Sequence, residues 1–378
     1  MEYDAIIIGA GPAGASAAFW LGEAEKRVLV LEKEHLPHYK PCGGGIPKAV
    51  FKRFPFDFSP VVERDVDYVR FRFRDEREVT ASLPGRPIAM VMRDRFDLHI
   101  LRHARAEVHD GASVVALQQD EMEAEVVTRS GETFRARYVI GADGANSRVA
   151  RLAGLRQGKR MGAALEAEVP ADDRLLAEYA DTALFIFGTP PQGYLWVFPK
   201  TAHLSVGIGV FFEQETAMRE ILQQEMARLG IHVEGASQRG HPLPIHLRHE
   251  PLHQGRVLLA GDAAGLMDPV LGEGVRYAVD SGRLAAEAVL ADDPPGYTRR
   301  VQREIGDDLL WGLRWARLFY DHPRESFELA VRNRRILDEF LRLFAGRTTY
   351  RRMAARAVFN LLPGLRRRLP TEKPTKTP

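Results

Sequence analysis

The chain begins with two short apolar runs that are typical of buried parallel strands. The first, residues 4–8, is rich in β-branched side chains and ends abruptly at a glycine. The second, residues 27–31, ends at Glu32. Runs that are apolar at nearly every position indicate strands covered on both faces. Small residues between them continue into a predicted helix, so the N-terminal segment predicts a strand, a helix and a second parallel strand.

The periodicity changes twice further along the chain. Residues 65–83 read as strands in which aromatic and arginine positions partly alternate, and residues 181–210 alternate apolar strands with a turn at 190–193. After about Pro294 the apolar positions take helical spacing. The pattern therefore predicts a β-rich middle and a helical C-terminal region.

The turn after the first strand carries the most specific signal, Gly-Ala-Gly-Pro-Ala-Gly at residues 9–14. Gly9 permits the tight turn, Gly11 lets the backbone approach a pyrophosphate, and Gly14 lets helix and strand pack closely. The helix N-terminus then faces the phosphate charge. Glu32 can accept hydrogen bonds from ribose hydroxyls and disfavours a 2′-phosphate. The segment predicts a bound FAD or NAD.

Composition and charge narrow the class of protein. The chain has 378 residues, 45% of them hydrophobic, with 53 basic against 51 acidic residues, which fits a globular protein and gives no argument for nucleic-acid binding. Cys42 is the single cysteine, and the N-terminus lacks the order of a secretory signal, so we expect a cytoplasmic protein. Residues 342–378 hold ten basic residues and one acid, suited to a peripheral membrane contact or to a solvated tail.

Two later strand ends favour FAD. Residues 138–148 and 257–265 each run from an apolar strand into a glycine-flanked aspartate, Asp143 and Asp262. With the glycine turn, they resemble the flavoprotein superfamily that shares the para-hydroxybenzoate hydroxylase fold. That resemblance assigns Asp262 to the ribityl chain of FAD. The loop at residues 267–274 then opens into a helix whose free N–H groups would stabilise an anion such as reduced flavin.

Three further segments resemble the geranylgeranyl reductase family. They are the Lys-Pro-Cys-Gly-Gly run within residues 37–47, the Arg-Phe-Asp element within 93–98, and the aromatic-x-Trp-x-Phe-Pro signature within 193–200. With the nucleotide motifs, the resemblance covers about residues 1–290. It implies an α/β fold in which a discontinuous Rossmann-type FAD-binding domain (1–64, 94–157 and 250–293) carries an inserted antiparallel-sheet substrate domain (65–93 and 158–249). A helical C-terminal region with a basic tail (294–378) follows.

The resemblance also implies an activity. Members of the family saturate double bonds of an isoprenoid or prenylated lipid, by hydride transfer from reduced flavin and delivery of a proton. Tyr194, Trp196 and Phe198 would form the wall of the substrate tunnel, or simply belong to the core. Cys42 could donate the proton or contact the ring, and a buried, inert cysteine is the alternative. The expected catalytic residues are Cys42, Tyr194 and Trp196, and the electron donor is NADPH or another reductant that binds transiently.

The expected FAD-binding residues gather around these motifs, and the histidine spacing predicts no metal site. An FAD-dependent monooxygenase of an aromatic or lipid substrate shares the fold and the nucleotide motifs, and a non-redox flavoprotein is a further alternative. The expected FAD-binding set is Gly9, Gly11, Pro12, Ala13, Gly14, Glu32, Lys33, Cys42, Gly43, Gly44, Gly45, Arg95, Val115, Asp143, Gly144, Gly261, Asp262, Pro269, Gly272, Gly274 and Val275.

Overall fold

The computed structural model describes residues 2–155, 158–212 and 216–361, with side chains described up to Arg356. Among them, each helix is too short or too polar to cross a bilayer. The strands are β1 (Tyr3–Ile8), β2 (Val28–Leu31), β3 (Gly45–Pro47), β4 (Val62–Val66), β5 (Tyr68–Phe73), β6 (Arg77–Ser82), β7 (Ile88–Val91), β8 (Glu107–His109), β9 (Val114–Gln119), β10 (Ala124–Thr128), β11 (Thr133–Gly141), β12 (Arg160–Pro170), β13 (Thr182–Phe187), β14 (Gly193–Pro199), β15 (His203–Val210), β16 (Gln238–Ile245), β17 (His253–Gln254) and β18 (Val257–Leu259). The α-helices are α1 (Pro12–Glu23), α2 (Arg93–Arg102), α3 (Arg148–Leu152), α4 (Asp173–Tyr179), α5 (Met218–Arg228), α6 (Val275–Leu290), α7 (Pro294–Val301), α8 (Asp307–Asp321), α9 (Pro323–Arg332), α10 (Arg334–Phe344) and α11 (Tyr350–Leu361).

The first sheet is built around the apolar runs. Its order is β17-β18-β11-β1-β2-β8, and β1 pairs in parallel with both β2 and β11. β18 joins β11 in parallel, and the β9–β10 hairpin extends from β11. The carboxyl ends of β1, β2, β11 and β18 therefore meet at one edge, where a Rossmann-type sheet binds its ligand.

Helix α6 packs on α1, far from it in sequence. The contact is close because Gly282 has no side chain, since a Cβ there would lie 2.2 Å from the Ala13 carbonyl oxygen. The Ser16 hydroxyl donates a 2.8 Å hydrogen bond to the Val279 carbonyl across the same contact. The first sheet and its helices are thus completed by a segment near residue 280.

The second sheet has the order β16-β12-β15-β14-β13-β5-β6, with β13 and β5 parallel and the other pairs antiparallel. One face packs on α4 and α5. The other carries aromatic residues that pack against the C-terminal helices, among them Phe185 against Phe344 and Phe71 against Phe340. The predicted α/β fold class, with a second sheet and a helical C-terminal region, is confirmed.

A third, small sheet joins the other two. Its order is β3-β7-β4, and all its pairs are antiparallel. β3 follows the Cys42 loop directly, and β7 leads into α2. Residues 62–66 and 88–91 therefore pair apart from the larger antiparallel sheet. The loop that carries Cys42 and the helix that carries Arg93 are thereby tied to one small sheet.

Candidate active site

A cavity of about 940 Å³ runs from the N-terminus of α1 to the aromatic face of β14. At its first end, the glycine turn has the expected geometry. Gly9 has a φ of +105°, and a Cβ there would lie 2.3 Å from the Ala142 carbonyl oxygen. A Cβ at Gly14 would lie 1.9 Å from the Gly9 carbonyl oxygen. Gly11 instead faces open space, with the Lys40 Nζ 3.5 Å from its virtual Cβ. The turn therefore leaves room for a phosphate beside a cation.

Glu32 lies at the end of β2 and is 4% exposed. Its carboxylate accepts hydrogen bonds from the Ala10 N–H at 2.7 Å and the Glu34 N–H at 3.2 Å, and both Glu32 and Lys33 line the cavity. A carboxylate oxygen can accept more than one hydrogen bond. Glu32 is therefore held by the backbone in a position to bind a ribose hydroxyl.

Asp143 and Asp262 both line the cavity but are used differently. Asp143 accepts hydrogen bonds from the Arg148 N–H at 2.6 Å and the Val149 N–H at 3.0 Å, so its carboxylate holds the first turn of α3. The Asp262 carboxylate has a looser contact, with the His241 Nε2 3.8 Å away. Asp262 is the better placed of the two to bind a ligand hydroxyl.

The structure brings Arg93 to the cavity where the sequence analysis expected Arg95. Arg93 makes two hydrogen bonds of 2.9 Å to Asp97, and the Lys40 Nζ lies 3.1 Å from the same carboxylate. Burial alone would raise the pKa of Asp97, but Arg93 and Lys40 outweigh burial and hold it below its usual range. Arg95 is half exposed and pairs with Glu63. Arg93 and Asp97 share the buried face of α2, and Arg95 points away from it.

On β9 the residue that faces the cavity is also not the expected one, Val115, but its neighbour. The exposed fraction of Val115 is 38%, whereas its neighbour Val114 is buried and lines the cavity. Successive side chains on a strand point to opposite faces, so one position decides which residue reaches the cavity. Of the other expected residues, those that line the cavity are Gly9, Gly11, Pro12, Ala13, Glu32, Lys33, Cys42, Gly43, Gly44, Gly45, Asp143, Gly144, Asp262, Gly272, Gly274 and Val275.

Three expected residues lie behind the lining. Gly14 permits the close approach of α1 to the Gly9 carbonyl oxygen. A Cβ at Gly261 would lie 3.0 Å from the Ala13 Cβ. Pro269 packs towards α8, 3.3 Å from the virtual Cβ of Gly312. Their place in the structure is a packing role beneath the cavity wall.

The second end of the cavity is aromatic. Tyr194, Trp196 and Phe198 alternate along β14 and line the cavity, while Leu195 and Val197 point to the opposite core. The Tyr194 hydroxyl donates to the Leu271 carbonyl. These three residues thus form one continuous aromatic wall in the cavity lining.

Gly207 makes space for the indole. It pairs with Trp196 across β14 and β15, and a Cβ there would lie 2.1 Å from the Trp196 Cζ2. Gly207 is therefore the residue that permits the indole of Trp196 to lie flat on this face.

The Cys42 loop passes between that aromatic wall and β7. A Cβ at Gly43 would lie 2.8 Å from the Trp196 Nε1, and a Cβ at Gly44 would lie 2.0 Å from the Val91 carbonyl oxygen. Gly43 and Gly44 are thus required by close approach to protein atoms, an explanation that the sequence analysis did not offer. Cys42 lines the cavity, and its Sγ accepts a 3.4 Å hydrogen bond from the Gly44 N–H.

Lys200 holds this loop from below. Its side chain is buried, and Nζ donates to the Gly43 carbonyl at 2.8 Å and to the Val91 carbonyl at 2.7 Å. Burial lowers the pKa of Lys200. The sequence analysis quoted Lys200 only as the end of the β14 signature. Its signal is a lysine that directly ends an otherwise apolar strand.

A buried acidic pair on β12 also escaped the sequence analysis. Glu166 and Glu168 lie on one face of the strand, beside Tyr39 and His203. Glu166 is 1% exposed and accepts a 3.2 Å hydrogen bond from the Ser205 hydroxyl. Burial and the neighbouring carboxylate raise the pKa of Glu166. Two acids at alternate positions of an apolar strand are the signal that could have found them.

The loop before α6 is held by Asp268. Its carboxylate accepts hydrogen bonds from the Val270 N–H and the Leu271 N–H, each at 2.8 Å, and from the Tyr350 hydroxyl at 2.7 Å. The following residues, 272–275, line the cavity just where α6 begins. This arrangement can present free backbone N–H groups to an anion in the cavity.

The parallel sheet, the glycine turn with a buried acid after β2, and an aspartate after β18 define an FAD-binding flavoprotein. A family model described as an FAD binding domain matches residues 71–288, and a second FAD binding domain model matches residues 4–49. The open space at Gly11, the cation beside it and the length of the cavity fit FAD. The protein is therefore an FAD-dependent oxidoreductase.

Comparison with known proteins narrows the class. A geranylgeranyl diphosphate reductase of Rhodobacter capsulatus is 31% identical over 77% of this chain and 76% of the relative, and a chloroplastic one of Oryza sativa is 30% identical over 78% and 68%. The crystal structure of a geranylgeranyl bacteriochlorophyll reductase-like protein from Thermoplasma acidophilum has a TM-score of 0.74 at 22% identity, covering 84% of this chain and 87% of that one. The chain belongs to the geranylgeranyl reductase family.

Proposed function

We propose that this protein saturates isolated carbon–carbon double bonds of an isoprenoid chain. The observation that carries the proposal is a single cavity whose FAD-binding end continues into an apolar, aromatic end. Its apolar lining includes Ile88, Phe185, Trp196, Phe198, Phe211, Leu243 and Phe344. An isoprenoid alkene has no polar group near the double bond, so shape and apolar contact must position it.

FAD, when bound and reduced, supplies the hydride. This chain must hold the alkene and deliver a proton to the second carbon. We propose Cys42 for that step, because its thiol lines the cavity between Arg93 and the aromatic wall. The S–H bond breaks as the new C–H bond forms, and the thiolate that remains is stabilised by the Arg93 guanidinium within hydrogen-bonding reach. Solvent then returns the proton to the thiolate.

The donor that reduces FAD is proposed to be NADPH or another reductant that binds transiently, because the sequence shows one dinucleotide turn. A prenylated lipid substrate would suit a peripheral membrane contact. Support comes from the exposed side chains of Leu318, Leu329 and Ile336 on α8, α9 and α10, close in sequence to many arginines. Residues 362–378 of the basic tail lie outside the described residues.

The decisive experiment is anaerobic. The holoprotein is reduced chemically, geranylgeranyl diphosphate or a geranylgeranylated lipid is added, and flavin re-oxidation is followed together with the product mass. We expect re-oxidation matched by a gain of two hydrogens per turnover. Flavin that stays reduced until oxygen is admitted, with an oxygen atom then found in the substrate, would overturn the proposal in favour of a monooxygenase.

A further inference from the structure

Glu273 lies in the loop between the two ends of the cavity. A Cβ at the preceding Gly272 would lie 3.1 Å from the Tyr194 hydroxyl, and one at the following Gly274 would lie 3.4 Å from the Asp262 Oδ1. The loop thus spans from the expected ribityl partner to the aromatic wall. Because the redox ring of FAD is attached to the ribityl chain and must reach the substrate, we expect the ring along this loop, beside Glu273.

The Glu273 carboxylate is incompletely paired. Its side chain is 10% exposed, and one oxygen lies 3.1 Å from the Arg276 guanidinium. Among the described residues, the other oxygen, Oε1, is buried and has no hydrogen-bond partner. An unpartnered carboxylate oxygen in a buried position costs free energy that a proton on it would relieve.

The charges around Glu273 do not balance. Asp268 of the same loop is buried and satisfied by four hydrogen bonds, two of them from tyrosine hydroxyls. Arg276 is the cation that acts on both Asp268 and Glu273. The next carboxylate along α6, Asp280, is paired with Arg53 and so has its own cation. The groups that act on Glu273 are Asp268, Arg276 and Asp280. Tyr277 faces it from α6, and Tyr194 faces it from β14. Two carboxylates against one guanidinium leave one negative charge uncompensated.

Two-electron reduction of FAD adds a further negative charge to the same enclosed space. We propose that Glu273 takes up a proton from solvent when FAD is reduced, so that reduction draws two protons into the site. Two electrons and one proton go to the flavin, and the second proton forms an O–H bond on the Glu273 carboxylate, so the charge of the site does not change. Burial already raises the pKa of Glu273 in this structure, which agrees with the direction of the uptake.

Glu273 thus balances the charge of reduced FAD and needs no contact with the substrate to do so. This role rests on FAD binding alone. It would hold for a reductase and for a monooxygenase, so failure of the isoprenoid proposal leaves it standing. Failure of the Glu273 proposal likewise leaves the isoprenoid proposal standing, since alkene saturation can proceed whichever group takes up the second proton.

The test measures the midpoint potential of FAD in the holoprotein against pH, by spectroelectrochemistry, at pH values where free reduced flavin is an anion. The variant is Glu273→Gln, and Glu287→Gln on the same helix, where Glu287 pairs with Arg283 and Arg300, is the matched control. We expect a slope of two protons per two electrons in the wild type and in the control, and half that slope in E273Q. A one-proton slope in the wild type, or a two-proton slope in E273Q, would overturn the proposal.

A second measurement applies if E273Q does not retain FAD. The wild-type holoprotein is labelled with ¹³C-glutamate, and infrared difference spectra are recorded on reduction. We expect a new C=O stretch of a protonated carboxyl that shifts with glutamate labelling, and not with aspartate labelling, and that persists in Glu166→Gln. Absence of the band, a band that shifts only with labelled aspartate, or its loss in E166Q would each refute the assignment to Glu273.

Discussion

A methyl group at residue 207 tests the aromatic wall directly. Gly207→Ala places a Cβ 2.1 Å from the Trp196 Cζ2 and 2.4 Å from its Cη2. Gly209→Ala is the matched control on the same strand, because its Cβ would lie 3.7 Å from the Phe211 Cζ and 3.9 Å from the Trp196 Cζ3. The two substitutions are chemically identical, and they differ in the space available.

The expected loss of stability in G207A follows from those distances. Carbon atoms in contact are best separated by about 3.5–4.0 Å, so the methyl of G207A overlaps the indole by more than about 1 Å. Trp196 cannot simply tilt, because its Nε1 lies against the Gly43 backbone, where a virtual Cβ would lie 2.8 Å from Nε1. Overpacking of this kind costs about 1–3 kcal/mol. G209A should be neutral, or stabilising by a few tenths of a kcal/mol through the unfolded chain.

The assay is urea denaturation of the two holoproteins, with the anaerobic re-oxidation rate measured alongside. We expect the free energy of unfolding of G207A to fall by about 1–3 kcal/mol, and its alkene-dependent re-oxidation to slow. Gly209 also lines the cavity, so G209A is the control for stability alone, and its free energy of unfolding should match that of the wild type. Equal stability losses in the two variants would refute the packing argument. A destabilised G207A with an unchanged re-oxidation rate would show that Trp196 belongs to the core and does not position substrate.

Three further changes have defined outcomes. Asp97→Asn leaves Arg93 and Lys40 without their shared carboxylate and should lower the free energy of unfolding by about 3–5 kcal/mol in urea denaturation at neutral pH. Because the pKa of Asp97 is lowered on folding, the wild type should lose the same stabilisation as the pH falls through that pKa. Unchanged stability in D97N would contradict the burial of this cluster. In Glu166→Gln the free energy of unfolding should vary less with pH than in the wild type. A carboxyl whose pKa is raised on folding makes the wild type less stable as the pH rises above the ordinary value of 4.5. Calorimetry at several pH values measures this dependence, and identical slopes in the two proteins would count against the prediction. Cys42→Ser should keep the bound-FAD spectrum and slow alkene-dependent re-oxidation by about 10²–10⁴-fold in stopped-flow experiments, and an unchanged rate would exclude Cys42 as the proton donor.

The fold and the nucleotide end of the cavity could be read from the sequence because local rules fix them. Gly9 and Gly14 have no alternative residue at their contacts, and an apolar run that stops at Glu32 leaves one place for a carboxylate. The same holds for the β14 signature, since alternation along a strand puts Tyr194, Trp196 and Phe198 on one face.

In both departures from expectation, a nearby residue lies on the cavity face: two positions away on α2 and one position away on β9. The buried positions of α2 include Phe96, Asp97 and Ile100, so helical spacing places Arg93 on that face and Arg95 off it. On β9 the alternation of side chains decides between Val114 and Val115. In both places the periodicity of the surrounding residues contains the information on which side chain faces the cavity.

Other features could not be found from a local pattern. Lys200 donates hydrogen bonds to the carbonyl oxygens of residues 43 and 91. The role proposed for Glu273 depends on the sum of the charges on its loop and on α6. Such contacts join segments that only the folded chain brings together, and no spacing in the sequence reports them.

The packing of α6 on α1 has a consequence for synthesis of the protein. The glycine turn at residues 9–14 is translated more than 250 residues before α6 (Val275–Leu290). Until then Ala13 and Ser16 lack their partners, and before residue 257 strand β18 is also missing from its place beside β11. Nascent chains therefore expose apolar surface until α6 has been translated, and we expect FAD to be captured only after that point.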